Sequence, residues 1–100
     1  MELSSKQRSY LMGLSQTVEP IMQIGKASVT PEVVQSAEEV FNNRELIKIS
    51  VLKNCEEDVR LVADKLSKRT HAVLVQCIGR RFILYRPFKD PADRKIVLPK

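Results

Sequence analysis

The sequence predicts an α/β domain in which a four-stranded mixed sheet carries three helices, in the order α-β-α-β-α-β-β. Three observations carry that expectation. Helical patterns at 31–43 and after Asn54 alternate with short apolar runs, the arrangement of sheets with helices packed on them. Leu46 to Leu52 alternates Ile47, Ile49 and Val51 with Lys48 and Ser50, the period of a strand with one apolar face. Ala72–Ile78 and Phe82–Tyr85 are apolar runs joined by Gly79-Arg80-Arg81, a link that suits an antiparallel hairpin. The length of 100 residues suits one small domain with its own core.

The first helix starts at Ser4-Ser5-Lys6-Gln7, with Ser4 as cap and Gln7 reaching back. Gln7, Tyr10, Leu11 and Leu14 form its inward face, and Lys6 and Arg8 lie off it. Ile21, Met22 and Ile24 follow Pro20 as a short buried strand. Gly25-Lys26-Ala27-Ser28 is the loop after it. Thr30 then caps the second helix, with Pro31 as its first residue and Glu32 in its first turn. Val33, Ala37, Val40 and Phe41 are the buried stripe of that helix, and Glu38 and Glu39 face away. Asn42-Asn43 is its stop.

Asn54-Cys55-Glu56-Glu57 repeats the capping pattern, so Asn54 is read as the cap of the third helix. Cys55, Val59, Val62, Ala63 and Leu66 are its buried residues, and Lys65, Lys68 and Arg69 suit its negative end. Ala72–Ile78 reads as a central strand buried on both faces, and Phe82–Tyr85 as the returning strand. The folded part is expected over about 4–87. Residues 88–100 are expected as a basic tail whose Ile96, Val97 and Leu98 are able to dock on the body.

Charge is the first pointer to function. Seventeen Lys/Arg against twelve Asp/Glu leave +5. The excess lies wholly in the second half: residues 1–50 hold five basic and six acidic side chains, residues 51–100 twelve and six. Such a balance favours an anionic partner. The loop at Gly25–Ser28 feeds a helix N-terminus, where free amides and the Lys26 charge together suit a phosphate. Arg80, Arg81, Arg86 and Lys89 cluster at the hairpin and just after it, and their planar or flexible cations suit phosphate too. Lys26 is expected to join them in one basic surface. Aromatic residues make up only 5%, so backbone and shape contacts to RNA are favoured over base stacking.

Other chemistries find little support. Cys55 and Cys77 lack metal-type spacing, there is one histidine, and both cysteines read as small reduced core residues. His71 stands without a triad partner, and no nucleotide-binding glycine pattern or nucleophile elbow is present. Residues 1–20 lack the apolar core of a signal peptide, and no apolar run is long enough to cross a bilayer.

Several stretches together resemble the bacterial YhbY-type single CRM domain, the chloroplast RNA splicing and ribosome maturation family. They are Lys6-Gln7-Arg8-Ser9-Tyr10-Leu11, Pro20 to Lys26, Arg44 to Leu52, Asn54 to Asp58, Leu74 to Arg80, and Leu84-Tyr85-Arg86-Pro87. The resemblance implies a fold similar to the C-terminal domain of translation initiation factor three. It implies RNA binding, association with precursors of the large ribosomal subunit, and no catalysis. The family's Gly-x-x-Gly loop falls on Gly25 to Ser28, where this chain has Gly-Lys-Ala-Ser. A second departure is His71, where relatives often have glycine after threonine.

The expected RNA-contacting residues are therefore Gly25, Lys26, Ala27 and Ser28, flanked by Arg80 and Arg86, with Lys6, Arg8 and Lys48 behind them. No cofactor, metal, membrane or small-molecule substrate is expected. The expected state is a cytoplasmic monomer bound to RNA. The alternative is a module that docks on a ribosomal protein or assembly factor.

Overall fold

The computed structural model describes residues 2–100. Its elements follow the expected order: α1 (Ser5–Ser15), β1 (Pro20–Ile24), α2 (Pro31–Phe41), β2 (Leu46–Val51), α3 (Val59–Thr70), β3 (Val73–Ile78) and β4 (Arg81–Tyr85). The strands form one sheet in the order β1-β2-β4-β3. β1 pairs with β2 in parallel, and β4 runs antiparallel between β2 and β3. The C-terminal ends of β1, β2 and β3 thus meet the start of β4 at one end of the sheet.

Alternation along the strands separates two cores. Ile47, Ile49 and Val51 face α2 and α3, where they pack with Ile24, Phe41, Val62, Leu66, Phe82 and Leu84. Leu46, Ile83 and Tyr85 face the other way and join Leu11 of α1 and Val75. Three layers result: α2 and α3, the sheet, then α1 with the C-terminal segment.

Local chemistry places the helix starts. Ser4 and Gln7 form the reciprocal cap of α1, each bond at 3.1 Å. Thr30 Oγ1 accepts from Val33 N at 3.1 Å, and Pro31 opens α2. Asp58, rather than Asn54, caps α3 by accepting from Arg60 N at 2.8 Å. The Asn54–Glu57 pattern is diverted because Cys55 N closes a turn onto Leu52 O and Glu57 reaches out to other side chains. In α1 the buried residues are Leu11 and Ser15, whereas Tyr10 and Leu14 of the expected inward face are exposed.

The hairpin strands also differ from expectation. β3 is an edge strand and β4 is the buried inner one. Val75 bulges out of the β3–β4 ladder, since Leu74 and Gln76 oppose the consecutive Leu84 and Ile83. Its apolar run therefore serves both faces of the sheet without lying at the centre. Residues 88–100 fold back onto the body. Ile96 and Leu98 pack on the α1-side core, while Val97 is exposed.

Candidate nucleic-acid interface

Four exposed cations gather where the strand ends meet. Lys26 sits in the turn after β1, Lys53 in the turn after β2, and Arg80 and Arg81 at the β3–β4 hairpin. These segments touch. Leu52 N continues the parallel ladder onto Ile24 O at 2.8 Å, and Val51 N donates to Arg80 O at 2.7 Å. Arg80 Nε in turn donates to Val51 O at 3.0 Å, and its Nη2 to Leu52 O. The Arg80 guanidinium therefore clamps the end of β2 to the hairpin while remaining at the surface. Lys53, Arg80 and Arg81 line a shallow open groove with Ser50 and Ile78. Among the described residues the ion pairs are Lys65–Glu57, Lys68–Asp64 and Arg86–Glu38, so Lys26, Lys53 and Arg81 carry unpaired charge.

The Lys26 turn has a defined shape. Ser28 N donates to Gly25 O at 3.0 Å, which closes a β-turn with Lys26 and Ala27 at its exposed corner. Ser28 takes φ of +57°, the left-handed region. Its hydroxyl donates to Glu57 Oε1, and Lys65 Nζ holds Glu57 Oε2 at 2.6 Å. Those two bonds, Lys65 first, hold the Glu57 carboxyl below its usual 4.5. Gly25 has no such backbone demand. A Cβ there would meet Asn54 Oδ1 at 3.5 Å and Leu52 Cδ1 at 3.7 Å, ordinary contacts. The amides at the start of α2 offer less than the sequence suggests. Pro31 has no N–H, and that of Val33 is bound to Thr30.

A family model described as the CRS1/YhbY (CRM) domain matches residues 3–86. The chain belongs to this family. Over 97 residues it is 40% identical to the Bacillus subtilis protein named Probable RNA-binding protein YqeI, covering 97% of this chain and 99% of that one. Over 98 residues it is 35% identical to a Haemophilus influenzae protein named RNA-binding protein, covering 98% and 96%. Its fold is similar to the solution structure of hypothetical protein SAV1595 from Staphylococcus aureus, with a TM-score of 0.81 and 38% identity over 98% of this chain and 100% of that one.

Within this CRM domain, Ser28 stands where the resemblance puts the second glycine of the loop, and its positive φ is what a glycine supplies without strain. His71, at the other departure, also adopts the left-handed region, with φ of +58° as the C-cap of α3.

The remaining expected residues do not join the Lys26 end. Arg86 follows β4 at its far end, roughly 16 Å from Arg81 by strand rise. Its Nη1 lies 2.9 and 2.8 Å from the two Glu38 oxygens and 2.9 Å from Thr70 O, and the guanidinium stacks 4.6 Å from the Phe41 ring centroid. It ties α2, α3 and β4 together, so Glu38 does not face away and the single basic surface expected to include Arg86 and Lys89 is divided. A concavity lies at this far end, around Phe41, His71, Tyr85, Arg86 and Phe88.

Arg8 does not lie on a solvated face. Its Nη1 donates to the carbonyls of Leu74, at 2.7 Å, and Val75. These are the carbonyls beside the bulge, so Arg8 seals the open edge of β3. Lys6 is exposed on α1, and Lys48 is half-buried on the α1 face of β2, in register with Ile83. Lys53 is the residue that sequence reasoning did not single out, and Arg81, read there as part of the hairpin cluster, lies beside it. The signal for Lys53 was its place directly after a strand, beside the end of another strand that only the sheet order reveals.

Among the described residues no helix is long and apolar enough to cross a membrane. Nor do any three His, Cys, Asp or Glu side chains there form a metal-holding group.

Proposed function

We propose that this protein binds RNA through the Lys26 end of the sheet, without catalysis, and that it acts on precursors of the large ribosomal subunit in the cytoplasm. The supporting observation is the convergence of unpaired Lys26, Lys53 and Arg81 with the Arg80 clamp at one end of the sheet. A phosphate backbone fits such an end, because cations on turns at the ends of neighbouring strands can follow successive phosphates. The amides at the Lys26–Ala27 corner add donors of the kind that hold phosphate oxygens. Gly25, Lys26, Ala27, Ser28 and Arg80 remain in the proposed interface, with Lys53 and Arg81 added. Lys48 and Lys6 lie behind it. Arg8 and Arg86 are assigned to the fold.

The names of the Bacillus and Haemophilus relatives agree with RNA as the partner. The ribosomal part of the proposal rests on the family resemblance. Titration of a labelled RNA stem-loop tests the first part. Affinity should fall steeply with salt, and Lys26→Glu should weaken it at unchanged fold. A titration flat from low to moderate salt would sink it. Sedimentation of cell extracts tests the second. The protein should travel with large-subunit precursors, and its confinement to the top of the gradient would refute that assignment.

A further inference from the structure

We propose that Glu57 is a positioning residue for the Lys26 turn, holding Ser28 in the left-handed conformation that this corner requires. The inference rests on the RNA-binding reading above. A side chain in the left-handed region is strained by its own Cβ, and glycine is the usual solution. Here a serine occupies the position at φ of +57°. Its hydroxyl is bound by Glu57, and Glu57 is itself fixed by Lys65 at 2.6 Å. The three side chains come from the loop before α2, the loop before α3 and α3 itself. They form a chain of bonds that pins the turn to a helix. A side-chain bond thus does for Ser28 what an absent Cβ does for glycine. The same bond explains why an acid stands at the edge of a surface proposed to meet a polyanion.

That placement makes charge and geometry predict opposite signs. Glu57→Ala removes a negative charge and frees the Lys65 cation. On charge alone, RNA should bind more tightly. If Glu57 positions the turn, RNA should bind more weakly, because only the fraction of molecules with the turn in place is competent. A loss of about three- to tenfold is expected if that fraction falls to between a third and a tenth.

The test measures stem-loop RNA affinity and its salt slope for four proteins besides wild type: Glu57→Ala, Ser28→Gly, the double variant, and Lys26→Glu. Glu57→Ala should weaken binding with the salt slope preserved, since no phosphate contact is lost. In the Ser28→Gly background the same substitution should cost nothing, because glycine enters the left-handed region without Cβ strain and has no hydroxyl for Glu57 to hold. Glu57→Ala binding that equals or exceeds wild type would overturn the proposal. So would a double variant weakened as much as Glu57→Ala alone. Lys26→Glu separates the two levels: if it weakens binding while Glu57→Ala does not, positioning fails and the RNA-binding reading stands. If Lys26→Glu binds as wild type does, the RNA-binding reading fails and positioning falls with it. Thermal melting checks each fold. Should Glu57→Ala not fold, Ser28→Ala replaces it, since it keeps the Cβ and lacks the hydroxyl, and must weaken binding likewise.

Discussion

Glu45 accepts the backbone amide of Lys95 at 2.8 Å, a bond that spans 50 residues and pins the C-terminal segment to the start of β2. The same carboxylate accepts Ile96 N at 3.1 Å on that oxygen and Phe88 N at 3.1 Å on the other. At 4% exposure, Glu45 is among the most buried charged residues of the chain. A buried carboxylate is tolerable only when its acceptors are filled, and three amides fill them. The consequence is that Ile96 and Leu98 cover the core of Leu46, Ile83 and Tyr85.

Glu45→Ala should therefore destabilise the protein by about 2–4 kcal/mol, by leaving three amides and their segment without an anchor. Chemical denaturation would give the loss. Hydrogen exchange should show it concentrated at Lys95 and Ile96. Wild-type protection at those amides in the variant would contradict the anchoring role.

Much of the fold could be read locally. The Ser4–Gln7 box, the Thr30-Pro31 start and the Ile47–Val51 alternation are each decided by residues within a turn of one another. What escaped was decided by partners far along the chain. Arg8 looks like a surface residue until β3 bulges beside it, 66 residues away. Glu57 looks like half of a capping box until Ser28 and Lys65 claim it. Arg86 is one residue beyond a strand in sequence. The direction of β4 sets it at the opposite end from Arg81, and no local pattern carries that direction. The candidate site was legible as a loop and a hairpin, and their adjacency became visible only with the strand order.

Lys53→Glu and Arg81→Glu should each weaken stem-loop RNA binding, by roughly five- to twentyfold at low salt, with melting temperature nearly unchanged. The expectation follows from exposure and from the lack of an ion pair at either residue. Arg80→Ala should lower both affinity and stability, because it also loses the bonds to Val51 O and Leu52 O. Full affinity in both charge reversals would exclude the hairpin edge from the interface.

Arg86→Ala should behave in the opposite way. Removing the guanidinium leaves Glu38 and Thr70 O without their donor and uncovers the Phe41 ring, at a cost of about 2–4 kcal/mol. RNA affinity, measured on the folded fraction below the melting transition, should stay within a factor of two. A large affinity loss in a fully folded variant would return Arg86 to the interface. Arg86→Lys should recover little, since an ammonium cannot reproduce the planar stacking on Phe41.

The Ser28–Glu57–Lys65 chain should open in acid. The Glu57 carboxyl titrates below its usual 4.5 because the Lys65 and Ser28 bonds favour the ionised form. Its contribution to stability is therefore complete above that value and disappears as pH falls through the lowered one. Carboxylate NMR shifts should place the Glu57 transition below 4.5, and Lys65→Met should move it upward. An unmoved transition in that variant would show that Lys65 does not hold the carboxylate.

His71→Gly should stabilise the protein by about 0.5–1 kcal/mol, visible as a higher urea midpoint at unchanged slope. His71 ends α3 in the left-handed region, where its N–H meets Lys68 O at 3.4 Å and the next amide meets Ser67 O at 2.8 Å. Glycine keeps both backbone bonds and removes the Cβ strain, and its greater freedom in the unfolded chain trims the gain. Among the described residues the His71 imidazole makes no hydrogen bond, so nothing else is lost. Ser28→Gly is the contrasting case. It relieves the same strain at φ of +57° but forfeits the hydroxyl bond to Glu57, so its midpoint should barely move. Equal gains at both positions would mean that the Ser28–Glu57 bond contributes nothing to stability.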